Sequence, residues 1–146
     1  MLHIQQSVVM FETMKYKMQH CIGARLRRLS RIVDNYYRNA LSGFGITEKQ
    51  MTILFFLSEM GRVEQGKIGR FLVLDKSTVS RNVKLLEKQG LIQKSGQYRP
   101  AIELTQKGRG LVQKLIPIWE KTMDELVAKL GVDGMKQVEE LEKKLT

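Results

Sequence analysis

A mainly α-helical fold carrying one small β-hairpin is what this sequence predicts, and three observations predict it. Apolar residues recur at helical spacing along most of the chain, helix-capping signals sit at the breaks, and only one pair of short strand-like runs interrupts the pattern. Two prolines and 7% aromatic residues agree with helix as the dominant element. The 146 residues suit one domain-sized unit, and 42% hydrophobic with 27% charged residues is a globular composition.

The first stripe, Ile22, Leu26, Leu29, Val33, Tyr36 and Ala40, alternates steps of four and three and describes one continuous helix. The glycines of Leu41–Gly45 end it. Thr47 can cap a second helix with Gln50 completing a capping box, and Met51–Leu57 is apolar nearly all round, so this helix is expected to be buried. A short helix at Gln65–Leu72 turns Ile68, Phe71 and Leu72 inward. Asp75 caps the next, from Lys76 to about Gln89, and Gly90 supplies its left-handed end. Leu91–Lys94 and Ala101–Leu104 read as strands joined by a turn at Ser95–Tyr98. Thr105 caps a long final helix with the stripe Val112, Ile116, Trp119, Met123, Leu126 and Leu130, which Pro117 is expected to kink. Gly131 breaks it, and Asp133 starts a last helix whose apolar face is Met135, Val138, Leu141 and Leu145.

The net charge of +10 is concentrated in two places. Residues 15–38 carry seven Lys/Arg against Asp34, and residues 62–99 carry nine against Glu64, Asp75 and Glu87, whereas 100–146 balance. Two confined basic segments suit a localised polyanion site better than general solubility, although acidic proteins and membrane surfaces also attract such charge. No apolar run approaches the ~20 residues that span a bilayer, and the N-terminus lacks the basic region and cleavage site of a signal peptide. Cys21 is the one cysteine and cannot form an internal disulfide, which makes a reducing cytoplasm the expected compartment.

The informative block is Gln65–Leu104. Two short helices separated by Val73-Leu74-Asp75 have helix-turn-helix spacing. Val79, Val83 and Leu86 recur at four and three and face inward, leaving Lys76, Ser77, Thr78, Ser80, Arg81 and Lys84 exposed in the early turns. Small hydroxyl residues let a helix end approach the major groove, and Arg81 is long enough to reach a guanine edge. Hydroxyls also favour helix starts for their own reasons, so this run alone is equally a solvent-facing helix. The basic hairpin that follows, with Lys94 and Arg99 on either side of its turn, adds a wing able to enter the minor groove. The polar Asn82 on this helix reads either as a phosphate contact or as a partner for a buried backbone group.

In order and spacing, GITEKQMTILFFL, DKSTVSRNVKLLEKQGLI and LTQKGRGL resemble the MarR family of bacterial and archaeal regulators. The resemblance covers about residues 18–130 and is most specific over Asp75–Ile92. It implies a winged helix-turn-helix homodimer with a helical dimerisation domain built from both chain ends: residues 1–46 and 105–146 for dimerisation, 47–104 for DNA. It also implies that Lys76, Ser77, Thr78, Ser80, Arg81 and Lys84 read the major groove of a pseudo-palindromic operator, with Arg99 as the wing arginine. Repression released by a small aromatic effector is the implied regulatory mode. The family wing commonly carries Asp-x-Arg, and here Gln97-Tyr98-Arg99 stands instead.

One branch of that family senses organic hydroperoxides through a lone cysteine near the start of its first long helix, close to the place of Cys21. Aligned from Ile46-Thr47, Cys21 falls about two residues short of that position, so packing and redox sensing both stand as its roles. Arg25, Arg27, Arg28, Arg31 and Arg38 lie off the first stripe, as a solvated face, phosphate contacts or dimer pairing. His3 and His20 lack partners at ligand spacing, so neither metal nor cofactor is expected. No phosphate loop, nucleophile elbow or Cys-x-x-Cys suggests an enzyme. The sequence therefore predicts a double-stranded DNA-binding transcription regulator. A redox regulator of the same fold, or a winged helix devoted to protein interaction, stands as the alternative.

Overall fold

The computed structural model describes residues 14–146. After a single 3-10 turn at Met18–His20, the helices are α1 (Ile22–Ala40), α2 (Glu48–Met60), α3 (Gln65–Leu72), α4 (Lys76–Lys88) and α5 (Gln106–Leu145). Three short strands, β1 (Val63–Glu64), β2 (Ile92–Ser95) and β3 (Ala101–Leu104), form an antiparallel sheet in the order β1-β3-β2. The chain divides into two compact units, the first ending at Tyr36 and the second running from Tyr37 to Thr146.

In the first unit α1 buries none of its side chains, and Ile22 and Leu29 of the expected stripe are 63% and 57% exposed. The second unit holds the core. At the start of α2 the Thr47 side chain accepts from the Gln50 N–H, and Gln50 Oε1 accepts from the Thr47 N–H at 3.1 Å, so the expected capping box forms. Met51, Ile53, Leu54, Phe56 and Leu57 are all buried, and α2 packs against α4, α5 and β3. Being apolar round its circumference, α2 is the element the others wrap.

The sheet has a strand that the sequence reading missed. β1 pairs Val63 with Ile102 and Glu64 with Ala101, and two residues are too few to show an alternating pattern. Register also corrects β2, which begins at Ile92 rather than Leu91. The Leu91 N–H closes the end of α4 on the Leu86 carbonyl and is not available to a strand ladder. Phe71 does not turn inward as expected. It is 66% exposed, its ring lying 4.8 Å from that of Phe56 at the rim of the core, while Ile68 is fully buried.

The face of α5 is corrected in the same way. Gly108, Val112, Leu115 and Thr122 are the buried positions, with Trp119 packed against the core and edge-on to Phe55 at 5.7 Å, whereas Ile116 and Leu130 are 40% and 46% exposed. Thr122 is tolerated inside because its hydroxyl donates to the Ile118 carbonyl at 3.0 Å. Non-helical dihedrals in α5 occur at Gly131 (φ 68°, ψ 177°), as expected of that residue, and not at Pro117.

Candidate nucleic-acid interface

The connection between α3 and α4 is tight because small side chains allow it. A Cβ on Gly69 would lie 3.0 Å from the Leu74 carbonyl oxygen and 3.4 Å from Val79, so glycine lets the turn close on both helices. Val73 completes the turn in the left-handed region at φ 54°, a strained position for a β-branched residue, and its side chain is 88% exposed. Asp75 then caps α4. Its Oδ1 accepts from the Ser77 hydroxyl at 2.6 Å and the Thr78 N–H at 2.8 Å, and its Oδ2 from the Thr78 hydroxyl at 2.8 Å. These bonds, the Ser77 hydroxyl first, hold the Asp75 carboxyl well below the usual carboxylate range, so it is ionised at neutral pH.

That cap engages the hydroxyls of two of the expected DNA-facing residues. The hydroxyl protons of Ser77 and Thr78 are committed to Asp75, and Thr78 is half-buried rather than exposed, as is Ser80. Both capping hydroxyls keep lone pairs and can only accept from an outside donor. Lys76, Arg81 and Lys84 are exposed, and among the described residues none of the three has an ion-pair partner. Val79, Val83 and Leu86 are buried beneath them, as their spacing predicts. Asn82 takes the inward role: its Nδ2 donates to the Thr78 carbonyl at 2.8 Å and its Oδ1 accepts from Gln50 Nε2 at 3.3 Å.

The wing is the β2–β3 hairpin. Its loop, Gly96–Pro100, carries Arg99 at φ 49° with the guanidinium 5.5 Å from the centroid of the Tyr98 ring, and both side chains are exposed. Lys94 pairs with Ile102 in the ladder and is half-buried, so it is less available than Arg99. Sequence reasoning did not find Arg62, which precedes β1 and donates from its guanidinium to Ser95 Oγ at the base of the wing. Arg70, Lys76, Ser80 and Arg99 open on one groove of about 1050 Å³ between α3, the start of α4 and the wing, with Val73 and Pro100 on its walls. Glu64 and Asp75 also line it, Asp75 with its carboxylate turned into the cap.

In the first unit, Cys21 is half-buried just ahead of α1, and Arg25 directs its Nε to the Gln19 carbonyl at 3.2 Å. His3 lies outside the described residues, and among the described residues no cluster of His, Cys, Asp or Glu could hold a metal ion. No helix of the described residues is long and apolar enough to cross a membrane.

A helix-turn-helix braced on a three-stranded sheet, with cations on α4 and on the wing, defines a winged helix-turn-helix fold. Residues 44–98 match the MarR family model. The chain is 28% identical over 120 residues to YwaE of Bacillus subtilis, an uncharacterized HTH-type transcriptional regulator, covering 72% of this chain and 70% of that one. BpsR of Bordetella bronchiseptica, whose DNA binding is regulated by 6-hydroxynicotinic acid, has the same fold at a TM-score of 0.82 and 20% identity, over 90% of this chain and 98% of that one. MepR of S. aureus, solved as a DNA complex, is similar at a TM-score of 0.74 and 25% identity, over 85% and 95% of the two chains.

Proposed function

We propose that this chain is a homodimeric, sequence-specific regulator that binds double-stranded DNA, represses transcription in the cytoplasm, and is released by a small aromatic acid. The observation that carries the DNA-binding reading is the exposed cationic set Lys76, Arg81 and Lys84 on α4, without ion-pair partners among the described residues, of which Lys76 shares a groove with Arg99 of the wing. Long-range attraction brings the phosphates in, Arg81 and the hydroxyl lone pairs meet base edges in the major groove, and Arg99 reaches toward the minor groove. MepR's DNA complex supports the first part of this reading, and the regulation of BpsR by 6-hydroxynicotinic acid supports the second.

An electrophoretic shift with the chain's own upstream region tests the function. A shift that a hundredfold excess of random duplex cannot compete away is expected, and no preference over random duplex would end the proposal. Lys84→Ala should weaken operator and random duplex alike and reduce the salt slope by ~0.9, because one phosphate contact is lost. A selective loss on the operator alone would instead make Lys84 a base reader.

The dimer is proposed from what the single chain leaves uncovered. Residues 1–46 and 105–146 are the proposed dimerisation segments and 47–104 the DNA-binding one. Ile22 and Leu29 on α1, and Leu130, Val138, Leu141 and Leu145 on α5, are all more than 40% exposed. Covering apolar surface is worth ~25 cal/mol per Å², which favours a second copy over solvent. Sedimentation at micromolar concentration should find a dimer, with two recognition helices ~34 Å apart on a pseudo-palindrome. A stable monomer there would remove the two-fold operator from the proposal.

A further inference from the structure

Two side-chain amides tie the capping turn of α2 to the backbone of α4. Gln50 is only 5% exposed. Its Oε1 accepts from the Thr47 N–H at 3.1 Å, and its Nε2 donates to Asn82 Oδ1 at 3.3 Å. Asn82 Nδ2 donates in turn to the Thr78 carbonyl at 2.8 Å, within the turn that Asp75 caps. The chain of bonds therefore runs one way, from a backbone donor on α2 to a backbone acceptor on α4. Each middle member must accept at one end and donate at the other. An amide does both, a carboxylate at neutral pH only accepts, and a hydrocarbon does neither.

The capping box accounts for the oxygen of Gln50 but not for its nitrogen, which would be a costly buried donor without Asn82. The apolar contacts beneath α4, from Val79, Val83 and Leu86, are non-directional and permit small rotations of the helix about its axis. Hydrogen bonds are directional and resist such rotation. The bonded positions, Thr78 and Asn82, bracket Ser80 and Arg81 in the sequence. We infer that Gln50 and Asn82 are positioning residues that fix the rotation of the α4 reading end, and so set sequence discrimination without touching DNA. This inference rests on the DNA-binding reading above.

Gln50→Glu keeps the side-chain size and the acceptor for Thr47, so the helix cap survives, but removes the donor to Asn82. Asn82→Asp keeps the acceptor for Gln50 and removes the donor to Thr78. Both variants, and the double variant, are made in the full chain. At pH 8 and one salt concentration, affinity is measured for the upstream duplex and for a random duplex of equal length. Each added negative charge weakens both DNAs, so the ratio of the two affinities isolates positioning. The ratio is expected to fall about tenfold in each single variant, the scale of one directional hydrogen bond, and no further in the double. Amide hydrogen exchange in the first two turns of α4 should also quicken without DNA. An unchanged ratio in the single variants overturns the inference, and so does a double variant that loses the product of the two. Should the wild type show no preference for the upstream duplex, the regulator reading fails separately. The exchange result then decides the linkage alone: faster exchange upholds it and unchanged exchange ends it.

Discussion

Arg81→Ala is expected to lower affinity for the operator by about 1–3 kcal/mol, roughly five- to 150-fold, while random duplex loses no more than one phosphate contact's worth. The reasoning starts from placement. Arg81 is exposed on the second turn of α4, opposite the buried Val79 and Val83, with no ion-pair partner among the described residues to hold it elsewhere. Of the side chains on that face it alone carries the planar fork that meets guanine O6 and N7 together. Lysine at this position would keep the charge but lose the fork, so Arg81→Lys should restore random-duplex binding without restoring discrimination. Titration of both duplexes by fluorescence anisotropy checks this. Equal losses on the two DNAs would move Arg81 from base reading to phosphate contact.

Gly108→Ala should be among the most damaging single substitutions in the second unit. A Cβ there would fall 2.0 Å from the Leu91 carbonyl oxygen, a backbone atom that cannot rotate away. That carbonyl already accepts from the Thr105 N–H at 3.1 Å, and Thr105 Oγ accepts from the Gly108 N–H at 3.0 Å, so relief would break bonds on both sides. About 3 kcal/mol or more is expected, at the upper end of overpacking costs. Gly110→Ala is the matched comparison. A Cβ on Gly110 meets nothing within 4 Å, so only helix propensity changes and a gain of ~0.5–1 kcal/mol is expected. Urea melts of the two variants should depart from wild type in opposite directions. Similar small shifts of one sign would show that the first turn of α5 is not clamped as described.

Much of this arrangement is legible in the residues. The caps at Thr47, Asp75 and Thr105 declare themselves because a short polar side chain must sit three residues ahead of the N–H it accepts from. The inward face of α4 follows from the steps between Val79, Val83 and Leu86. What stayed hidden depends on neighbours distant in sequence. β1 exists because Val63 finds Ile102 across thirty-nine positions, and nothing local announces a strand of two residues. Phe71 and Ile116 are apolar yet exposed, since periodicity defines a stripe but not which edge of it the core reaches. The site shows the same division. Lys76, Arg81, Lys84 and Arg99 were readable as surface cations, whereas the diversion of the Ser77 and Thr78 hydroxyls to Asp75, and of Asn82 to Gln50, is a choice among partners that only packing makes.

The far end of α4 is fastened to the start of α5. Lys107 Nζ donates to the Gln89 carbonyl at 2.7 Å, Thr105 Oγ donates to the Gly90 carbonyl at 2.6 Å, and the Thr105 N–H donates to Leu91. Three bonds at one end turn the helix into an arm with a fixed fulcrum, and its thirteen residues give that arm a length of about 20 Å. A tilt of only about 5° at the fulcrum swings the opposite tip by ~1.7 Å on that length, more than half a hydrogen-bond distance. On the proposed DNA-binding reading, anything that leans on the first turn of α5 acts on the tip of α4 with leverage, and would loosen its grip on DNA without entering the groove.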